Sequence, residues 1–383
     1  MHASNICTPI ADHIGTIFVA IELSQKSWLA VMHSADRSRL SRHKLESGDA
    51  AGLLGLIENV RARAGRALGS APAVVSCYEA GYDGFWLHRR LAAAGITNFV
   101  FDPASIAVDQ RRRRAKTDRI DGELLLRTLM AHCRGEPRVV RIVRVPSPEQ
   151  EDVRRGSRER ERLSKEQTAH TNRIKALLRT LGLAAGNPRR RDWLKWLAEQ
   201  RDWQGQPVPP HYLAELKREH ARLLLVGEQL GELSRGGEPT DVPAAAARMA
   251  EQKTRLRQLK SFGPAFAGTL VDEVFYKEFD NRRQVGSYFG LAPSPWASGG
   301  TNREQGISKA GNPRARHQAI ELAWLWLRHQ PDSALSRWFR QRTAGASART
   351  KRIAIVALAR KLMVALWRYL TTGLIPDGAV VRA

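Results

Sequence analysis

Three things are scarce in this chain. Of its 383 residues only three are cysteines, Cys7, Cys77 and Cys133, an odd and widely spaced set. That excludes a disulfide framework and a cysteine-built zinc site, and it suits a reducing cytoplasm. Long apolar runs are missing as well. The first, Ile17 to Leu23, is too short for a signal peptide and already holds Glu22, and Arg360 and Lys361 break the best later candidate. No membrane span is expected. The third shortage is acid: 38 Asp and Glu stand against 62 Lys and Arg, a formal net charge of +24. Such an excess favours a polyanionic partner, DNA or RNA, whose phosphates it neutralises with release of counterions.

The acids that are present are placed tellingly. In RRRRAKTDRIDGELLL, four consecutive arginines, Arg111, Arg112, Arg113 and Arg114, and then Lys116 precede Asp118 and Asp121. If Asp118 opens a helix, the three-residue spacing sets both carboxylates on one face, about 5–6 Å apart. Two acids so close repel each other unless a cation sits between them. Oxygen ligands of this kind suit Mg²⁺ (or Mn²⁺), which takes one or two carboxylates and leaves other positions to water and phosphate. The plain alternative is a helix cap followed by a solvated acid.

The first third alternates strands and helices. Runs at 17–24, 28–33, 39–46, 73–78 and 98–101 predict strands, and helical spacing predicts helices over 49–66 and 85–94. Residues 138–145 read as one more strand or as an extended exit segment. Three strands, then helix, strand, helix, strand, helix predict a mixed sheet flanked by helices, in the order of a ribonuclease-H-like domain over residues 1–148. Ligands of such sheets gather beyond the carboxyl ends of the strands. Glu22 ends the first strand, Glu79 ends the fourth, and Asp118 and Asp121 open a later helix, so four acids are expected at one edge. A charge in a buried strand costs several kcal/mol unless paired or metal-bound. The alternative for Glu22 is an edge-strand residue facing water; for Glu79 it is a turn residue.

Pro146-Ser147-Pro148 marks a boundary. Residues 149–258 predict helices: a long, highly charged one to Leu181, read as a coiled-coil arm or helical hairpin, a Gly, Pro and Trp-rich break, then helices over about 211–232 and 243–260. Residues 259–383 form a third, mainly helical region. Gly263-Pro264 lies between helical segments, as in a helix-hairpin-helix. The stretch around 288–316 reads as a Gly, Pro and Ser loop carrying Arg303, Lys309, Arg314 and Arg316, and basic helices follow. The expected nucleic-acid surface runs from Arg111, Arg112, Arg113, Arg114 and Lys116 through Arg154, Arg155 and Arg158 to these C-terminal cations.

Four segments in order, VAIELSQKSW, CYEAG, AKTDRIDGELL and GLAPSPWASGGTNREQGISKAGNPRAR, resemble the DEDD transposases of bacterial insertion sequences, the Piv-like family with a RuvC-like N-terminal domain. The resemblance covers nearly the whole chain. It implies a metal-binding acidic tetrad on Glu22, Glu79, Asp118 and Asp121, with Glu22 where the family usually has aspartate. It implies that Ser298, followed by Gly299, attacks a DNA phosphate to form a covalent intermediate. It further implies double-stranded DNA as substrate, an element-encoded guide RNA, a composite site in a dimer or tetramer, and a cytoplasmic protein at the bacterial nucleoid. Two other readings of the residues stay open: a RuvC-like nuclease that uses water, and a decayed relative that only binds nucleic acid.

Overall fold

The computed structural model describes residues 15–37, 39–106, 118–235, 244–298 and 301–382, which fall into two compact units, Met1–Val145 and Pro146–Ala383. The first unit is built on β1 (Ile17–Glu22), β2 (Ser27–His33), β3 (Ser41–Glu46), α1 (Ala50–Leu68), β4 (Val74–Glu79), α2 (Trp86–Ala93), β5 (Thr97–Phe101) and α3 (Asp118–Cys133). Its five strands lie in the order β3-β2-β1-β4-β5. The first three pair antiparallel, and β1–β4 and β4–β5 are parallel. This mixed α/β arrangement is compatible with the expected ribonuclease-H-like domain.

The sequence explains the layering. β1 is apolar at every position from Ile17 to Ile21 because it is central and covered on both faces. Its pleat divides those residues. Ile17, Val19 and Ile21 join Leu53, Ile57, Val60 and Ala64 of α1 and Leu87 and Leu91 of α2. Phe18 and Ala20 join Leu125, Leu126, Leu129 and Cys133 of α3 on the opposite face. β3, SRHKLE, alternates half-buried and exposed residues, as suits an edge strand. Helix α1 starts where the Asp49 side chain accepts from Gly52 N and stops at Gly69 in the left-handed region. Residues 138–145 take the form of an exit segment, with a single bridge between Phe101 and Ile142.

The second unit holds α4 (Pro148–Thr180), α5 (Trp193–Glu199), α6 (Pro210–Arg235), α7 (Ala244–Gln258), α8 (Pro264–Leu270), α9 (Arg282–Tyr288), β6 (Pro293–Ser298), β7 (Thr301–Ile307), α10 (Pro313–His329), α11 (Ala334–Thr343) and α12 (Ala348–Thr372). A π-helical turn, Val271–Phe275, follows α8. Ser147 and Gln150 form a capping box at the start of α4, with Pro148 at its first turn. α4 packs along α6, and Ile174, Leu178, Leu216 and Leu223 share a core with Trp193 and Leu197 of α5. The rest of the unit packs around α12, whose Ile355, Leu358, Leu362, Met363 and Leu366 are buried. The stretch expected as a loop contains a β-hairpin instead, β6 against β7. Its prolines fit because a two-stranded ribbon has open edges, and the register slips between Pro293 and Pro295.

Candidate active site

The sheet brings two of the predicted acids side by side. Ile21 of β1 pairs with Tyr78 of β4, and each is followed directly by a half-buried glutamate, Glu22 and Glu79. Neighbouring strands lie about 4.8 Å apart, so the two carboxylates leave adjacent backbone positions at the carboxyl edge. The pleat sends both to the face of Ala20 and Cys77, the face that α3 covers. The edge-strand alternative for Glu22 fails here, because β1 lies between β2 and β4.

Helix α3 begins at that edge with Asp118 and Asp121. Two contacts hold its first turn down. A Cβ on Gly122 would meet Val31 Cγ2 at 2.8 Å and Leu29 Cδ2 at 3.7 Å, and Leu29 is the register partner of Glu22. Glu123 accepts from Arg42 of β3, at 2.6 Å from Nη2 and 3.1 Å from Nε. Burial pushes the Cys77 thiol well above its usual range, and Cys133 and the charge of Glu79 push it further the same way. The absent side chain of Gly122 is the feature that motif reading passed over. A glycine inside a helix is a signal of close backbone approach.

The donor set is oxygen only, half-buried and acidic, which is what a hard divalent cation takes. Glu22, Glu79 and Asp121 are the described candidates to hold one, while the Asp118 side chain lies outside the described residues. Among the described residues, no three His, Cys, Asp or Glu side chains are gathered closely enough to hold a metal. The cations expected just ahead of α3, Arg111, Arg112, Arg113, Arg114 and Lys116, also lie outside the described residues.

In the second unit, Ser298 is the last residue of β6, paired with Thr301 across the hairpin turn, and Arg303 pairs with Trp296. Gly299, Gly300 and the side chains of Ser298 and Arg303 are outside the described residues. The hairpin's base is firm: Ser308 N donates to Ala292 O at 2.8 Å and Asn312 N to Tyr288 O at 3.0 Å. Lys309 is exposed, and its carbonyl accepts from Arg316 at 2.9 Å.

The other predicted cations divide. Arg155 is exposed. Arg154 is buried, 3.7 Å above the Tyr276 ring. Arg158 donates to Glu273 at 2.7 and 3.1 Å. Arg314 donates to Glu273 at 2.7 Å, to Ser157 O at 2.7 Å and to Glu161. Glu273 lies on the π-helical turn with its side chain only 5% exposed. Burial alone would raise its pKa, but the hydrogen bond and charge of Arg158, with the charges of Arg314 and Arg154, bring it below the usual value. Arg154 and Arg314 thus spend their charge inside the fold. Among the described residues no helix is long and apolar enough to cross a membrane.

Comparison with known proteins gives two family matches. Residues 19–182 match a DEDD transposase family of the IS110 type, and residues 253–337 match the transposase IS116/IS110/IS902 family. The chain is 47% identical over 383 residues to y4rJ of Sinorhizobium fredii, a protein that carries a transposase name, covering 98% of this chain and 97% of that one. It is 29% identical to the transposase for insertion sequence element IS1111A of Coxiella burnetii, over 61% of this chain and 62% of the relative. A probable family 20 transposase of Pseudomonas aeruginosa is likewise 29% identical, over 61% of this chain and 67% of its own length.

Proposed function

Since the chain belongs to the IS116/IS110/IS902 family of insertion-sequence transposases, we propose that Glu22, Glu79, Asp118 and Asp121 form its DNA-cleaving acidic site and that Ser298 is its nucleophile. One observation carries the first half: Glu22 and Glu79 stand in adjacent register at a carboxyl edge, on the face against which α3 begins. Divalent metal, Mg²⁺ or Mn²⁺, supplies charge neutralisation at the scissile phosphate when bound. The chain's own part in this reading is to start Glu22 and Glu79 from adjacent backbone positions, while the close approach of Gly122 to Val31 and Leu29 sets the beginning of α3, the helix that carries Asp118 and Asp121, against β2. Glu22 is one methylene longer than the usual aspartate, and a shift of about 1 Å matters to chemistry.

For Ser298, the hairpin tip and the two glycines after it let the backbone approach a phosphate closely. Its hydroxyl oxygen forms a bond to phosphorus, the bond to the departing strand's oxygen breaks, and the hydroxyl proton leaves to a base. The protein then stays covalently joined to one DNA strand until rejoining. Double-stranded DNA is the substrate in this reading, and an element-encoded RNA chooses it. In the same reading Arg111, Arg112, Arg113, Arg114 and Lys116 meet the phosphates beside the acids. The α4–α6 pair serves as the coiled-coil arm of a dimer or tetramer acting at the nucleoid. The test of the serine is chemical. Ser298→Ala abolishes the covalent protein–DNA adduct and the recombinant product while folding and RNA binding persist. Recombination by Ser298→Ala at near wild-type rate makes water the nucleophile and the protein a RuvC-like nuclease.

A further inference from the structure

Beside the acidic edge, the chain leaves two aromatic rings in solvent. Glu79 ends β4, the turn to α2 carries Tyr82, 88% exposed, and α2 opens with Trp86, 41% exposed. Both lie at the same end of the sheet as Glu22 and Glu79, because the turn leaves β4 at its carboxyl end. A phenol ring so fully in water gains nothing for the fold, and scattered single cases need no explanation. This turn differs in being built. Ala80 N donates to Phe101 O at 2.8 Å, fixing the exit of β4 to the end of β5. The hydroxyl of buried Tyr78 donates to Gly84 O at 3.1 Å, and Gly84 takes φ 72°, which favours glycine. Trp86 leans on the buried Trp28 of β2, with ring centroids 5.8 Å apart and planes at 35°. The rings are therefore presented from a fixed backbone.

We propose that Tyr82, carried on this fixed turn, is a stacking platform for an unpaired DNA base next to the strand that the acidic edge cuts. This rests on the reading of Glu22 and Glu79 given above. The occupant follows from the chemistry. The chain is a DNA transposase with a net charge of +24, so the polymer that reaches this edge is nucleic acid. Bases in continuous duplex already stack on each other and offer only their edges, whereas an unpaired base has an open π-face that any aromatic ring can take, whatever the sequence. Strand exchange has to part base pairs near the cut, which supplies such a base. Tyr82 is a positioning residue here: it holds the strand and touches no reacting atom.

The experiment uses the full chain in EDTA, so that no strand is cut. The probes are a forked DNA with 2-aminopurine at the first unpaired position, a continuous duplex of the same sequence, and a forked RNA. Wild type quenches the forked DNA probe on binding. Tyr82→Ala loses the quenching and binds the fork about 5- to 100-fold more weakly, with duplex affinity and melting temperature unchanged. Tyr82→Phe restores both. The proposal is overturned if Tyr82→Ala binds and quenches as wild type, if it loses fork and duplex equally, if Tyr82→Phe fails as alanine does, or if only the RNA fork responds. Because cleavage is not read, the assay stands apart from the test of the acids. An Asp121→Asn protein that still cuts DNA defeats the acidic-site reading without touching the quenching result.

Discussion

At the scale of single residues, the site depends on a side chain that is missing. Gly122 lets the first turn of α3 lie against Val31, and the 2.8 Å approach of an added Cβ leaves no room. Gly122→Ala is expected to cost about 1–3 kcal/mol in denaturant unfolding, the usual range for overpacking, and to lower strand cleavage more than DNA binding. An unchanged midpoint would show that α3 moves freely over β2. Glu273 is the second residue of consequence. Arg158 and Arg314 hold its pKa below the ordinary carboxylate value. A depressed pKa contributes stability that is present above the unfolded value of about 4.3 and is lost as pH falls through the folded value. Glu273→Gln leaves Arg314, 16% exposed, short of a buried partner. The loss is expected near 3 kcal/mol at pH 7, shrinking as pH falls below the unfolded value toward the depressed folded one. Equal losses at pH 7 and pH 3 would contradict the pairing.

At the scale of elements, the sheet was legible because its signals are local. β1 reads as a buried strand from IFVAI alone, and the order of strands and helices follows from where the hydrophobic period changes. From there the meeting of Glu22 and Glu79 needs only the parallel β1–β4 register. The serine segment was not legible. Pro293, Pro295, Gly299 and Gly300 are loop residues by any local rule, and only the pairing with residues 301–307 makes 293–298 a strand. The inward turn of Arg314 was equally hidden, since Glu161 and Ser157 lie more than 150 residues earlier in the chain. Buried Glu219 on α6 shows the same limit. It binds His170 at 2.7 Å and Arg173 at 3.0 Å on α4, a link no periodicity announces. Glu219→Ala is expected to lower the melting temperature, and reversal by Glu219→Gln to wild-type stability would show that charge is not needed there.

At the scale of the whole molecule, the net charge of +24 sets the terms of binding. DNA affinity is expected to fall steeply with salt, because each neutralised phosphate releases counterions. With Arg154 and Arg314 turned into the fold, their replacement should change stability and leave the salt slope intact, while replacing exposed Arg155 should reduce the slope and spare stability. A binding constant flat between low and physiological salt would remove phosphate contacts from the account. The central claim is that acids from β1, β4 and α3 act as one metal-dependent cleavage site. The most direct measurement is Mg²⁺-dependent cleavage of an element-end DNA by wild type, Glu79→Gln and Asp121→Asn, with DNA binding followed in parallel. Both variants are expected to lose cleavage and to keep DNA affinity within a few-fold of wild type; cleavage near the wild-type rate by either, or binding lost as fully as cleavage, would contradict a shared acidic site.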